Sequence, residues 1–388
     1  MLSVLPAFLL GALGVVVRSD LRFDALGLGL AVAAFYLTAS TVALVTGRYA
    51  LVERIGVRRT LLAGVAINAL SMAWMAWVAD SLLAVAGSMA LAGIVNGITQ
   101  PAASLAMARH VPTTRLGLAL GIKQAALPAA TLLAGLAVGA IAVVGDWHLA
   151  FAAGAALSSA FVVLALLFSR GPGAMHAASD TPRAAATPDA RQPVGAPAVS
   201  RAPRARMTPV LVQATIASFL ASVAANGLRV FYVESAVESG ETLAVAGLLL
   251  SVASVAGIAA RFVGGWRSDH STRNPMITAG LLMLAGGVGY AMLAVVEGTL
   301  LLAIAGILGV AAGWGWSGLV NLAVVREQPE QAGAVTAYIH FSTLSGSLLG
   351  PVLFGLALTV GDYGLAWIAT SIVGFAAAIV QLIPLRAR

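Results

Sequence analysis

The chain has 388 residues, of which 60% are hydrophobic and only 10% are charged, and its mean hydropathy is +0.95. This composition excludes an ordinary soluble domain, in which about 25% of the residues are charged, and it predicts a membrane protein. The net charge of +7 resides on arginines scattered through short connections, without the interleaved aromatic residues of a nucleic-acid interface, so we expect no nucleic-acid partner.

Twelve apolar segments follow one another along the chain, and each is long enough to cross a bilayer as a helix, which satisfies its own backbone hydrogen bonds in lipid. The first six cover about residues 2–17, 25–46, 60–79, 81–105, 117–144 and 149–168. The second six cover about residues 209–233, 242–263, 275–295, 299–325, 333–360 and 364–385. The first segment has no basic residue before it and no small-residue cleavage site after it, so we interpret it as a span and not as a signal peptide. The expected fold class is an all-α membrane protein with twelve transmembrane helices.

Residues 170–207 separate the two sets of six and are rich in Ala, Pro and Arg, with no apolar period. Such a composition predicts a disordered linker. The expected organisation is an N-terminal six-helix bundle over residues 1–169, a linker over 170–207 and a C-terminal six-helix bundle over 208–388.

Basic residues are concentrated on one side of the predicted spans. That side holds the linker and the loops that follow the even-numbered spans, whereas the short loops on the other side contain only Arg18 and Arg22 beside several acids. By the positive-inside rule, the linker and both termini are cytoplasmic. We therefore expect a multi-pass protein of a bacterial inner membrane, surrounded by lipid and monomeric.

The two halves of the chain match each other at a single offset of 216 residues. The offset brings residues 145–147 (Gly-Asp-Trp) onto residues 361–363 (Gly-Asp-Tyr), and it also brings Gly97 onto Gly313 and Glu53 onto Asp269. A repeat of this kind predicts two bundles of like topology with a solute path between them.

The loops after the second and eighth spans carry the corresponding motifs of the two halves. The first reads Gly-Arg-Tyr-Ala-Leu-Val-Glu-Arg-Ile-Gly-Val-Arg-Arg from residue 47, and the second reads Arg-Phe-Val-Gly-Gly-Trp-Arg-Ser-Asp-His-Ser-Thr-Arg from residue 261. Both resemble the cytoplasmic signature of the major facilitator superfamily, G-x-x-x-D-x-x-G-R-[RK]. The first loop departs from it by having Glu53 in place of Asp, and the second lacks the later glycine. The resemblance implies the two-bundle fold of that superfamily and a transport function.

An acid at a helix end can pair with arginines across such a loop, forming a latch that breaks when the bundles move. The residues of this predicted latch are Glu53, Arg54, Arg58, Asp269 and Arg273. The alternative for the arginines is simple anchoring by the positive-inside rule.

Lys123 is the only lysine of the chain, and it lies in the fifth predicted span. An ionisable group inside a span normally faces a cavity or a partner. Since Lys123 lies about 12 Å beyond Arg115, we expect it near the middle of the bilayer, where it would bind substrate with the neighbouring Gln124. The alternative is a lysine that extends to the cytoplasmic face.

His340 lies at the matching depth of the eleventh predicted span, one residue away from the position that the repeat offset pairs with Lys123. Because an imidazole can gain or lose a proton near neutral pH, His340 is the candidate for coupling transport to protons. The alternative is a structural hydrogen bond to Ser342 or Thr343.

Arg229 follows Asn226 and Gly227 in the outer third of the seventh predicted span. Gly227 suggests a break in that helix, and Arg229, with Asn226, could bind an anion. The alternative is that Arg229 pairs with Glu234 as part of a gate.

Further polar or aromatic residues within the spans are candidate substrate ligands. They are Asn96 and Gln100 in the fourth predicted span, Trp316 in the tenth and Tyr36 in the second. Structural hydrogen bonds or packing are the alternative for each of them.

None of the fifteen acids falls within a predicted span, which disfavours the export of cationic drugs because such pumps need a buried carboxylate. We find no nucleophile with an orienting base, no metal-ligand spacing and no phosphate loop, so we expect no enzyme activity, no cofactor and no metal site. The chain also has no cysteine, which excludes disulfides.

The sequence thus favours a secondary transporter that moves a small anionic or carboxylate-bearing solute by alternating access, with protons as a candidate coupling ion. The first alternative is an exporter of drugs or other amphipathic compounds. The second is a membrane sensor whose linker binds a partner.

Overall fold

A computed structural model describes residues 1–49, 51–110, 116–168, 206–270, 274–295, 298–328 and 331–384. In these ranges all regular structure is helical, and eleven helices are long and apolar enough to cross a membrane. A further pair of helices at the N-terminus forms one bent span, which gives the twelve predicted. Most of the predicted linker, residues 170–205, lies outside the described residues.

The twelve spans keep the predicted order. The first consists of Leu5–Ala12 and Gly14–Leu21, and the others of the N-terminal half are Ala25–Arg48, Val57–Trp77, Leu82–His110, Leu116–Val144 and His148–Phe168. Those of the C-terminal half are Pro209–Glu238, Leu243–His270, Pro275–Leu293, Thr299–Glu327 with an interruption, Ala332–Val360 and Tyr363–Leu382. A short helix, Leu51–Ile55, lies in the loop after the second span and ends at Gly56, whose φ of +91° is costly for residues other than glycine.

We call the end of the molecule that contains residues 144–148, 238–243 and 360–363 the far end, and the opposite end, next to the linker, the linker end. The spans run alternately between the two ends, six in each bundle. This arrangement confirms the predicted fold class.

Two spans are interrupted where the sequence predicted continuous helices. The first span bends by 66° between Ala12 and Gly14. The tenth changes from an α-helix to a π-helix over Leu308–Ala312, followed by turns up to the helix Ser317–Glu327. Wide turns of this kind are frequent at functional sites.

The predicted break at Gly227 is wrong, because the seventh span is one continuous helix, Pro209–Glu238. Gly227 instead permits close packing, since a Cβ atom there would lie 3.2 Å from Cδ2 of Phe354 in the eleventh span.

Glycines bring the two bundles into contact along the fifth and eighth spans. A Cβ atom at Gly135 would lie 2.8 Å from the carbonyl oxygen of Gly247, and one at Gly247 would lie 2.8 Å from the carbonyl oxygen of Gly135. Gly355 of the eleventh span likewise packs against the backbone of Ala25 in the second span. Small residues allow helix backbones to approach closely, which is the main source of packing energy between helices in lipid.

The two matching Gly-Asp-aromatic segments occupy equivalent places at the far end, before the last helix of each bundle. The Asp146 carboxylate accepts hydrogen bonds from the backbone N–H and the ring Nδ1 of His148, and the Asp362 carboxylate accepts one from the backbone N–H of Leu365. The side-chain hydrogen bond from His148 lowers the pKa of Asp146 below its ordinary value. Both acids therefore lie at helix N-termini, where Asp is one of the preferred residues.

Candidate functional site

Arg229 lies between the two bundles, held between two aromatic rings. Its guanidinium carbon is 4.3 Å from the centre of the Phe8 ring in the first span and 4.3 Å from the centre of the Trp314 ring in the tenth span. Cation–π contacts of this kind contribute about 0.5–1 kcal/mol each at exposed sites and about 2 kcal/mol when desolvated. The guanidinium is thus held between one ring from each bundle.

One edge of the guanidinium is fixed by a polar network that joins the bundles. Its Nη1 donates to Oδ1 of Asn226 at 3.0 Å and, at 3.4 Å, to the hydroxyl of Tyr36, which itself donates to Oδ1 of Asn226 at 2.9 Å. The amide of Asn226 is oriented by its Nδ2, which donates to Oγ of Ser347 at 2.7 Å and to the carbonyl of Ser222 at 2.9 Å. The structure therefore brings together three predicted ligands, Tyr36, Asn226 and Arg229, from both halves of the chain.

A narrow cavity borders this network. It is lined by residues of the fifth, seventh, eighth and tenth spans, namely Pro128, Thr131, Ala225, Leu228, Arg229, Leu250, Arg261, Val310 and Trp314. Its free volume is about 10 Å³, which holds about one water molecule. A solute can bind there only after the bundles have moved apart.

Arg261 lines the same cavity. From the sequence, its position near a loop had placed it among the cytoplasmic arginines that orient the protein in the membrane. Its Nη2 donates one long hydrogen bond, 3.4 Å, to the carbonyl of Trp314, and its charge interacts with that of Arg229. Among the described residues no carboxylate pairs with either arginine. In the sequence, Phe262 and Val263 continue the apolar run beyond Arg261. This pattern indicates that Arg261 lies inside the span.

Lys123 of the fifth span and His340 of the eleventh span form a second group of basic side chains. Lys123 is partly buried and His340 is exposed, and the charge of Lys123 acts on His340. Counted along their helices from the far end, they lie about 31 and about 30 Å deep, the matched depth that the repeat offset predicted. Lys123 is thus about 10 Å from the linker end of its 29-residue helix, nearer to that end than to the middle of the helix.

The predicted pairing of Arg229 with Glu234 is wrong. Glu234 forms an ion pair with Arg18, at the far end of the first span, and thereby joins the two bundles. Five residues along a helix correspond to a rotation of about 140°, so Arg229 and Glu234 point in different directions. At the far end, this ion pair links the first span to the seventh.

The other predicted ligands lie outside this cavity. Asn96 is buried and donates to Oγ of Ser3 at 3.4 Å, which is a hydrogen bond within the N-terminal bundle. Trp316 is fully buried in the C-terminal bundle, where its Nε1 donates to the carbonyl of Gly313. At the interruption of the tenth span, Trp314 and not Trp316 lines the cavity. Gln100 and Gln124 are partly buried in the fourth and fifth spans.

The predicted latch falls largely outside the part of the chain that the structure describes. This holds for the side chains of Glu53 and Asp269 and for the whole of Arg273. Arg54 and Arg58 are exposed on either side of Gly56.

Comparison with known proteins gave one family and several similar structures. The family model described as Major Facilitator Superfamily matches residues 1–351 and, in a second alignment, residues 214–388. A crystal structure of the nucleoside transporter NupG is similar with a TM-score of 0.67, at 16% identity over 98% of this chain and 96% of that one. A bacterial homologue of the human lysosomal transporter Spinster, in an inward-facing and occupied conformation, is similar with a TM-score of 0.70, at 15% identity over 98% of this chain and 93% of that one. No curated protein sequence matches the chain.

Proposed function

The chain belongs to the major facilitator superfamily, and from this premise we propose that it carries a small organic anion, in particular a carboxylate, across the membrane by alternating access. It is a multi-pass membrane transport protein and not an enzyme. The fold alone supplies no substrate, since one fold serves many functions. The nature of the solute must therefore be argued from the cavity.

The observation that carries the proposal is Arg229, a guanidinium between the bundles without a carboxylate partner among the described residues. A charged group inside a membrane protein is costly unless it is paired, and it is usually retained for function. An anionic solute would supply the missing partner. Because Phe8 and Tyr36 belong to one bundle and Arg229 to the other, binding there would also depend on how the bundles are positioned.

A series of basic side chains extends from this site toward the linker end. Arg229 lies about 14 Å from the far end along its helix, Arg261 about 27 Å and the pair Lys123 and His340 about 30 Å. Such a series favours anions along the path and disfavours the export of cationic drugs. It supports the substrate class that Lys123 suggested, with Arg229 as the principal ligand.

Coupling to protons is the second part of the proposal. We place the linker end in the cytoplasm of a bacterium, which the distribution of arginines supports. An anion that enters a negative interior must overcome about 2.3 kcal/mol per charge for each 100 mV. Symport with protons would offset this energy, and His340, exposed beside Lys123, is the titratable group in a suitable position.

The test is uptake by purified protein in proteoliposomes, with a panel of radiolabelled short carboxylates. We expect Arg229→Gln to reduce uptake at least about tenfold, because a hydrogen bond to a charged group is worth about 1.5–3 kcal/mol. Arg326→Gln is the matched control, since it removes an exposed guanidinium at the linker end and should leave uptake unchanged. Uptake by Arg229→Gln at the wild-type rate would contradict the proposed site, and a wild-type protein that transports none of the carboxylates would contradict the substrate class.

A further inference from the structure

The second edge of the Arg229 guanidinium is unoccupied. Nη1 is engaged by Asn226 and Tyr36, whereas Nε and Nη2 donate no hydrogen bond to any described residue. Phe8 and Trp314 each lie 4.3 Å from the guanidinium carbon and restrict its movement, and Nε and Nη2 form an edge with two parallel N–H groups. Two parallel N–H donors match the two oxygens of a carboxylate.

Trp314 provides a third unused donor at the same cavity. The residue is 6% exposed and its Nε1 has no hydrogen-bond partner. The Nε1 atoms of Trp147, Trp316 and Trp367 donate to Asp20, Gly313 and Ser235 respectively, whereas the Nε1 of Trp74, in the N-terminal bundle, is buried without a partner like that of Trp314. Because a buried indole N–H normally has a partner, its absence at the cavity points to an acceptor that the ligand supplies.

Arg261 adds a second positive charge to the cavity. It has a single long hydrogen bond, and its charge repels that of Arg229. Two guanidinium groups line a space of about one water molecule, with no carboxylate from the described residues beside them. A single negative charge would neutralise one of them, and two would neutralise both.

Building on the proposed function, we propose that the cavity is specific for small dicarboxylates. One carboxylate accepts from Nε and Nη2 of Arg229 and from the indole N–H of Trp314, and the second pairs with Arg261. A carboxylate fits the free edge of Arg229, from which it accepts two parallel hydrogen bonds.

The test is calorimetric binding to purified full-length protein, with dicarboxylates (malonate, succinate, glutarate) compared with monocarboxylates of similar size (propionate, butyrate, valerate). We expect the best dicarboxylate to bind at least about tenfold more tightly than its monocarboxylate counterpart, since a hydrogen-bonded charge pair contributes about this factor. Arg261→Gln should remove that preference, because the affinity for the dicarboxylate should fall much more than the affinity for the monocarboxylate. Trp314→Phe, which keeps a ring over Arg229 but lacks the N–H, should weaken both classes equally.

Thermal unfolding of each variant shows that it is folded, and Arg261→Lys, which keeps the charge, should retain part of the preference. Equal affinity of the wild type for both classes would overturn the dicarboxylate site and leave the proposed anion transport intact. Binding of inorganic phosphate as tightly as the best dicarboxylate would overturn the specificity for dicarboxylates, and full affinity in Trp314→Phe would overturn the role of the indole. Failure of every carboxylate to bind would overturn the proposed function as well.

Discussion

Replacing Glu234 by Gln is expected to open the far end of the protein. Glu234 of the seventh span and Arg18 of the first form an ion pair between the two bundles. In Glu234→Gln, Arg18 keeps its charge and its partly buried position but loses its partner. The closed arrangement is destabilised, whereas in an open arrangement water would solvate Arg18.

The size of the effect follows from how far the pair is buried. The side chain of Arg18 is 23% exposed and that of Glu234 is 11% exposed. Exposed ion pairs contribute about 0.2–1 kcal/mol, and breaking a buried pair costs about 3–5 kcal/mol. The burial of this pair is intermediate between these two classes. A value of about 2 kcal/mol is therefore reasonable. It corresponds to about a 30-fold change in the equilibrium, so that a preference of about 30 to 1 for closure would become nearly even.

The assay is a distance measurement between spin labels at the two sides of the closure. The chain contains no cysteine, so labels can be placed at Ser19→Cys and Ser239→Cys, both exposed at the far end, without removing native thiols. In Glu234→Gln we expect the ratio of a second, longer distance to the short one to rise about 30-fold over the wild type. Exchanging the charges in the double variant Arg18→Glu with Glu234→Arg should restore the short distance.

Asp20→Asn is the matched control. Asp20 is a carboxylate at the same end, but it accepts its hydrogen bond from Nε1 of Trp147 within the N-terminal bundle, at 2.9 Å. Its neutralisation should leave the distance distribution unchanged. The reasoning is refuted if Glu234→Gln keeps the single short distance, or if Asp20→Asn lengthens it equally.

Two further variants test the coupling group and the helix packing. His340→Gln should remove the stimulation of uptake by an inwardly directed proton gradient while leaving counterflow intact, and gradient-driven uptake that persists at the wild-type level would exclude His340 as the proton carrier. Gly350→Val should lower the thermal unfolding midpoint, because a Cβ atom at this position meets the backbone oxygen of Val223 and overpacking costs about 1–3 kcal/mol. Gly139→Ala, where a Cβ atom meets nothing within 4 Å, is its control and should unfold at or above the wild-type temperature.

Much of the fold was predictable from the sequence, because a bilayer sets both the length and the apolar character of a helix that crosses it. The order of the twelve spans, the two sets of six and the equivalent places of Asp146 and Asp362 all followed from the residues alone. The interruptions after Ala12 and at Leu308–Ala312 did not. Both segments are as apolar as the continuous helices, and no local preference distinguishes them.

The candidate site was predictable only in part. Arg229, Asn226 and Tyr36 stood out as polar groups inside apolar runs, and the structure joins them in one network. Arg261 did not stand out, because the sequence does not distinguish an arginine that faces a cavity near the end of a span from one that orients the span in the membrane. Trp314 and Trp316 are two residues apart, and the sequence could not show which of them faces the cavity.

The sequence by itself determined how many spans the protein has and which polar residues lie within them. The reason is that the free energy of transfer from water to lipid is a property of each residue type. Only the tertiary structure showed which residues are partners. Glu234 pairs with Arg18 and not with Arg229. Arg229 instead contacts the rings of Phe8 and Trp314. The reason is physical, since the direction in which a side chain points depends on the rotation of its helix. That rotation is set by packing against helices from distant parts of the chain.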